Sequence, residues 1–173
     1  MTAREDNAKT ESVAALDAAQ GFALSGEFAK AIAILIEYLA VHRDERLAKR
    51  LLANVYELRA LELFEYKQRQ LSSSPDFQRA QSLLEEILIE SPEDLLSLCD
   101  LGDHFLNLGA IDQAVSYYAR AAILLERDKN QQGIDSRVDI SDALAKISDT
   151  MKRAGGRELA LLEQIHARLL ASA

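Results

Sequence analysis

The sequence predicts an all-α protein built from about four antiparallel helix pairs, the second opening with an over-long helix. Three observations carry this expectation. The 173 residues include only two prolines and seven glycines, while Ala, Leu, Glu and Arg are plentiful. Apolar residues recur at intervals of three and four, the period of a helix with one buried face. The pattern also repeats at one constant offset, interrupted twice, which matches the period of a two-helix repeat unit.

The best-kept copy spans Leu95 to Glu126. Leu98, Leu101 and Phe105 share one face of a first helix, Gly109 supplies a turn, and Ala114, Tyr118 and Ala121 share one face of a second. Gly102 and Ala114 are small where two helix axes must approach closely.

Taken in order, residues 1–10 are polar and expected to be disordered, and residues 11–173 form a single domain. The first pair runs from about Glu11 to His42. Ala15, Ala18, Ala19 and Phe22 make its first face, Gly26 the turn, and Phe28, Ala31, Leu35 and Tyr38 the second face, with Ala19 in the place of Gly102. Leu52, Ala53 and Tyr56 follow Ala18, Ala19 and Phe22 by one repeat period, so the next helix stays in phase. No turn signal then arrives, and the helical pattern runs from about Asp44 to Leu71. Ser72-Ser73-Ser74-Pro75 breaks it, with Ser74 as helix cap and Pro75 in the first turn. Ala80, Leu84 and Ile87 precede Ala114, Tyr118 and Ala121 by the same period. The extra residues therefore fall between Tyr56 and Ala80, around positions 61–75, shared between the long helix and its loop. Ser91 and Asp94 have capping-box-like spacing before the next helix. Arg127 to Ser136 reads as a polar loop. A last pair follows, with Leu144, Ile147, Ser148 and Met151 on one face, Gly155-Gly156 as the turn, and Ala160, Ile165 and Leu169 on the return.

Composition limits the chemistry. A net charge of −8 argues against nucleic-acid binding, which needs Lys and Arg against phosphates. No apolar run approaches the length of a membrane span, and residues 1–10 lack the apolar core of a secretory signal. The lone Cys99 fits a reducing compartment, so a cytoplasmic location is expected. Cys99, Asp103 and His104 do not share a helix face, which argues against a metal site. No phosphate loop or nucleophile motif appears, so neither cofactor nor catalysis is expected.

The small and large positions quoted for Leu95–Glu126 resemble one tetratricopeptide repeat (TPR), although Leu98 stands where the family prefers Trp and Glu126 where it prefers Pro. The resemblance implies a right-handed α-α superhelix whose first helices line a concave groove. Its groove positions would be Gln20 and Leu24, then Arg50, Asn54 and Glu57, then Cys99, Asp103 and Asn107, then Lys146, Asp149 and Arg153. Arg50 and Asn54 look like half of the family's clamp for a C-terminal carboxylate, but Asp103 in the next unit would repel one.

The function so implied is a protein-interaction module, an adaptor or assembly chaperone that captures a protein segment. Two alternatives stand beside it: a self-associating structural scaffold, and a chaperone of the type III secretion translocator kind, similar in size, acidity and helical build. Two further surfaces suggest partners. Leu61, Phe64 and Tyr66, with Leu63, lie where the long helix outruns its neighbour and are candidates for an interface with another chain or a second copy. The acids from Asp76 to Asp103 face only Arg79 within their own span, as if to receive a basic segment.

Overall fold

The computed structural model describes the backbone of residues 3–64, 68–131 and 140–172, with side chains from residue 13 onward except at 68, 69 and 128–131. The described residues form helices α1 (Ala3–Leu24), α2 (Phe28–Val41), α3 (Arg46–Phe64), α4 (Gln68–Leu71), α5 (Pro75–Glu90), α6 (Leu95–Asn107), α7 (Ile111–Gln131), α8 (Ser141–Met151) and α9 (Gly156–Ser172). The class is all-α, as expected. The chain divides into two compact units, residues 1–86 and 87–173.

In the first unit α1 packs on α2 and α2 on α3. Ala19, Ala23, Ala31, Leu35, Leu52, Ala53 and Tyr56 are buried there. The turn between α1 and α2 closes with paired backbone bonds. Glu27 N–H donates to Phe22 O at 2.8 Å and Gly26 N–H to Ala23 O at 3.1 Å, with Gly26 at φ 76°. This is a Schellman ending, which needs a left-handed residue that glycine adopts without a Cβ clash.

The second unit repeats that ending. Ala110 N–H donates to Phe105 O at 2.9 Å, Gly109 N–H to Leu106 O at 3.0 Å, and Gly109 sits at φ 72°. The shared turn explains why both sequence stretches carry Gly at the same place relative to their apolar faces. Here α6 packs on α7, α7 on α9, α8 on α9, and α6 on α8. A Cβ on Gly102 would lie 2.6 Å from Tyr118 Cζ and 2.8 Å from its Cδ1, so the predicted close approach of α6 and α7 is present. Tyr118 is fully buried, and its hydroxyl donates to Asp103.

Several local expectations are corrected. The helix backbone begins at Ala3, inside the stretch expected to be disordered, because Ala3, Arg4, Glu5, Ala8 and Lys9 are residue types that favour helix. Ala18 is exposed, and Ala19 and Ala23 carry the buried face. Asp94, not Ser91, caps α6, its carboxylate accepting from Ser97 N–H at 2.9 Å. Ser74 caps α5 as expected, accepting from Phe77 N–H at 3.4 Å. Helix α7 continues through Arg127 to Gln131, where a loop was expected, since Arg, Lys and Gln sustain a helix although they are polar. The remainder of that expected loop lies outside the described residues. In the last pair Ala143 and Ile147 face inward while Ser148 is exposed, and Leu162, Ile165 and Leu169 face inward while Ala160 is exposed.

Candidate functional site

Helices α1 and α3 touch, and each presents a row of residues spaced by four, three and four, which fall on one helical stripe. The α1 row is Val13, Asp17, Gln20 and Leu24. The α3 row is Leu47, Leu51, Asn54 and Leu58, each one repeat period after its counterpart. Val13, Leu24, Leu47 and Leu58 are 58, 82, 55 and 45% exposed, and among the described residues they are four of the ten large apolar side chains that stand out into solvent. Each row therefore has an aliphatic group at both ends and an amide, Gln20 or Asn54, within it. The only charged row member is Asp17, with Arg50 half-buried alongside.

Three of the expected groove residues, Gln20, Leu24 and Asn54, lie in these two rows. Glu57 does not, because it is buried. The sequence reading sought polar flanks beside packed faces and so passed over Val13, Leu47 and Leu58. The signal that finds them is the repeat offset, which pairs Val13 with Leu47 and Leu24 with Leu58.

In the second unit the charged groove residues, Asp103, Lys146, Asp149 and Arg153, form pairs with one another. Lys146 Nζ lies 3.9 Å from Asp103, which also accepts the Tyr118 hydroxyl. Asp103 therefore has an ammonium and a hydroxyl donor beside it. Asn107 is half-buried. Arg153 is exposed and pairs with Asp149 at 3.2 Å, beside Lys152 at 3.3 Å. Cys99, the one cysteine of the sequence, is buried. His104 is fully buried, its ring set edge-on to Phe105. Among the described residues no group of three His, Cys, Asp or Glu gathers to hold a metal. No described helix is long and apolar enough to cross a membrane.

The far end of the long helix is less bare than expected. Leu61 is buried and Phe64 half-buried, because the chain returns as α4 against α3, with Leu71 and Phe77 also buried. Leu63 is well exposed, and Tyr66 lies outside the described residues.

The acidic span is also corrected. Its carboxylates meet bases from outside the span. Arg59 grips Asp76 with two bonds of 2.7 and 2.8 Å, Lys49 reaches Glu86 at 2.7 Å, and Arg127 grips Glu93 at 2.7 and 2.8 Å. Arg127 holds the Glu93 carboxyl below the usual carboxylate range by its hydrogen bonds, and Asp76 raises the Arg59 guanidinium in the same way. Outside the span, Arg168 on α9 makes the same bidentate grip on Glu126 of α7, lowering that carboxyl too. Local sequence counts missed these pairs because each joins residues 17 to 42 positions apart.

No family model matches the chain, and no curated protein matches it.

Proposed function

We propose that the chain is a TPR-type helical-repeat adaptor, a cytoplasmic binding protein rather than an enzyme, that captures a protein segment on the α1/α3 face. The helix pairs are read as stacking in a right-handed superhelix with that face on its concave side. The observation that carries the reading is the pair of exposed rows, Val13–Leu24 and Leu47–Leu58, matched position for position one repeat apart. A folded chain gains nothing by leaving four large aliphatics in water at equivalent positions unless something covers them. The ends of each row lie about 16 Å apart, eleven residues at 1.5 Å each. That span suits a short segment with apolar side chains at both ends and backbone amides free to meet Gln20 and Asn54. Covering one leucine contributes about 1.5–3 kcal/mol, so a few such contacts give useful affinity.

The test uses a partner recovered with the full chain from its native host. Leu24→Asp and Leu58→Asp should each lose that partner while keeping the wild-type melting temperature, because both side chains already stand in solvent. Retention of the partner by both variants would contradict the reading.

Self-association is a second reading, favoured by Leu63 standing exposed beside the half-buried Phe64 at the end of α3. The narrower likeness to type III secretion translocator chaperones rests on size, acidity and helical build, and no residue of the α1/α3 face adds to it.

A further inference from the structure

A second groove lies in the first unit between α3 and α5. It encloses about 540 Å³ and is lined by Leu52, Tyr56, Pro75, Leu83, Arg79 and Glu86, with Gln78 and Ser82 at its side. Leu52, Tyr56, Pro75 and Leu83 give it an apolar floor. The guanidinium carbons of Arg59 and Arg79 each lie 5.6 Å from the centre of the Tyr56 ring.

The polar groups here differ in how fully they are engaged. Asp76 is held by Arg59 through two short bonds. Glu86 is held by the buried Lys49. Gln78 Nε2 donates to Ser72 O at 3.2 Å, and Ser82 Oγ to Gln78 O at 3.0 Å. Arg79 is 59% exposed and donates one long bond, 3.4 Å, to Asp76. A guanidinium has five N–H donors, so most of its hydrogen-bonding capacity faces outward. Lys49 thus pairs with Glu86, and Arg59 and Arg79 both reach Asp76. The charged residues lining the groove are Arg79 and Glu86, and of these Arg79 has the spare donors.

We infer that this groove is a docking site for an acidic partner segment in which an Asp or Glu stands next to a large apolar side chain. The carboxylate takes the outward N–H groups of Arg79 in a bidentate pair, and the apolar neighbour lies on Leu52, Tyr56 and Leu83. Arg and Tyr at the edge of an apolar floor are the residue types that dominate protein-interface energetics. The site is separate from the α1/α3 face and shares none of the residues of its two rows.

The test pans a display library of random twelve-residue segments against three forms of the full chain: wild type, Arg79→Glu and Leu24→Asp. Arg79 is exposed, so its variant should keep the wild-type circular dichroism and melting curve. Wild type and Leu24→Asp should both enrich segments with Asp or Glu beside Leu, Phe or Tyr, and Arg79→Glu should bind those segments at least about tenfold more weakly. Raising the salt should weaken the wild-type interaction. The inference is overturned if no acidic–apolar motif is enriched, or if Arg79→Glu retains it. A motif lost with Leu24→Asp but kept by Arg79→Glu would assign binding to the α1/α3 face instead and leave the proposed function standing.

Discussion

A methyl group added at Gly102 would fall 2.6 Å from Cζ of the buried Tyr118 ring, so α6 and α7 meet only because that position has no side chain. Gly102→Ala should destabilise the second unit by about 1–3 kcal/mol, the cost of overpacking a filled interface, read as a lower melting temperature. This contact was legible in the sequence, since a small residue one position after Leu101 on an otherwise bulky face has few other uses. The ion pairs were not legible. Glu93 and Glu126 each accept two bonds from an arginine more than 30 positions away. Both carboxyls are held below the ordinary carboxylate range. A depressed folded-state pKa means the contribution is present above the unfolded value and is lost as pH falls through the folded one. Acid titration should therefore lower the stability of wild type more steeply than that of a Glu93→Gln/Glu126→Gln variant. The window is below about pH 4.3, the usual glutamate value. Both carboxylates are solvent-facing, so the difference should shrink in high salt.

The helices owe their limits to capping chemistry that the sequence shows only in part. The two Schellman turns could be read from Gly26 and Gly109 because a left-handed residue at that place is almost always glycine. The start of α6 could not, because Ser91 and Asp94 are equally good caps as residue types and only the geometry selects Asp94. Asp94→Ala should cost about 0.5–2 kcal/mol, and Ser91→Ala much less, in the same thermal assay. Helix α7 outran its expected end because polar residues were read as loop, although arginine, lysine and glutamine have good helix propensity. At the end of α3, Leu61 is covered by the returning chain while Leu63 is not. If α3 is a self-interface, Phe64→Asp should convert a dimer to a monomer by light scattering. A monomeric wild type at high concentration would remove that reading.

At the scale of the molecule, the described residues show ion pairs in both units and exposed aliphatics on the α1 and α3 rows. Five carboxylates, Glu86, Asp76, Glu93, Asp103 and Glu126, pair with Lys49, Arg59, Arg127, Lys146 and Arg168. Four of the seven exposed large aliphatics among the described residues of the first unit, Val13, Leu24, Leu47 and Leu58, lie on the α1 and α3 rows, whose single charged member is Asp17. The helical class was readable because helical periodicity survives without tertiary information. The make-up of the proposed α1/α3 face was readable only in its amides, because exposed leucines look like core in a sequence. Capture on this face should thus depend little on ionic strength, changing by less than about twofold between low and high salt, in contrast to docking at Arg79. The most direct measurement is amide chemical-shift mapping of the full chain on addition of its recovered partner. The account predicts shifts centred on Val13, Gln20, Leu24, Leu47, Asn54 and Leu58. Shifts that leave these six residues unmoved would contradict it.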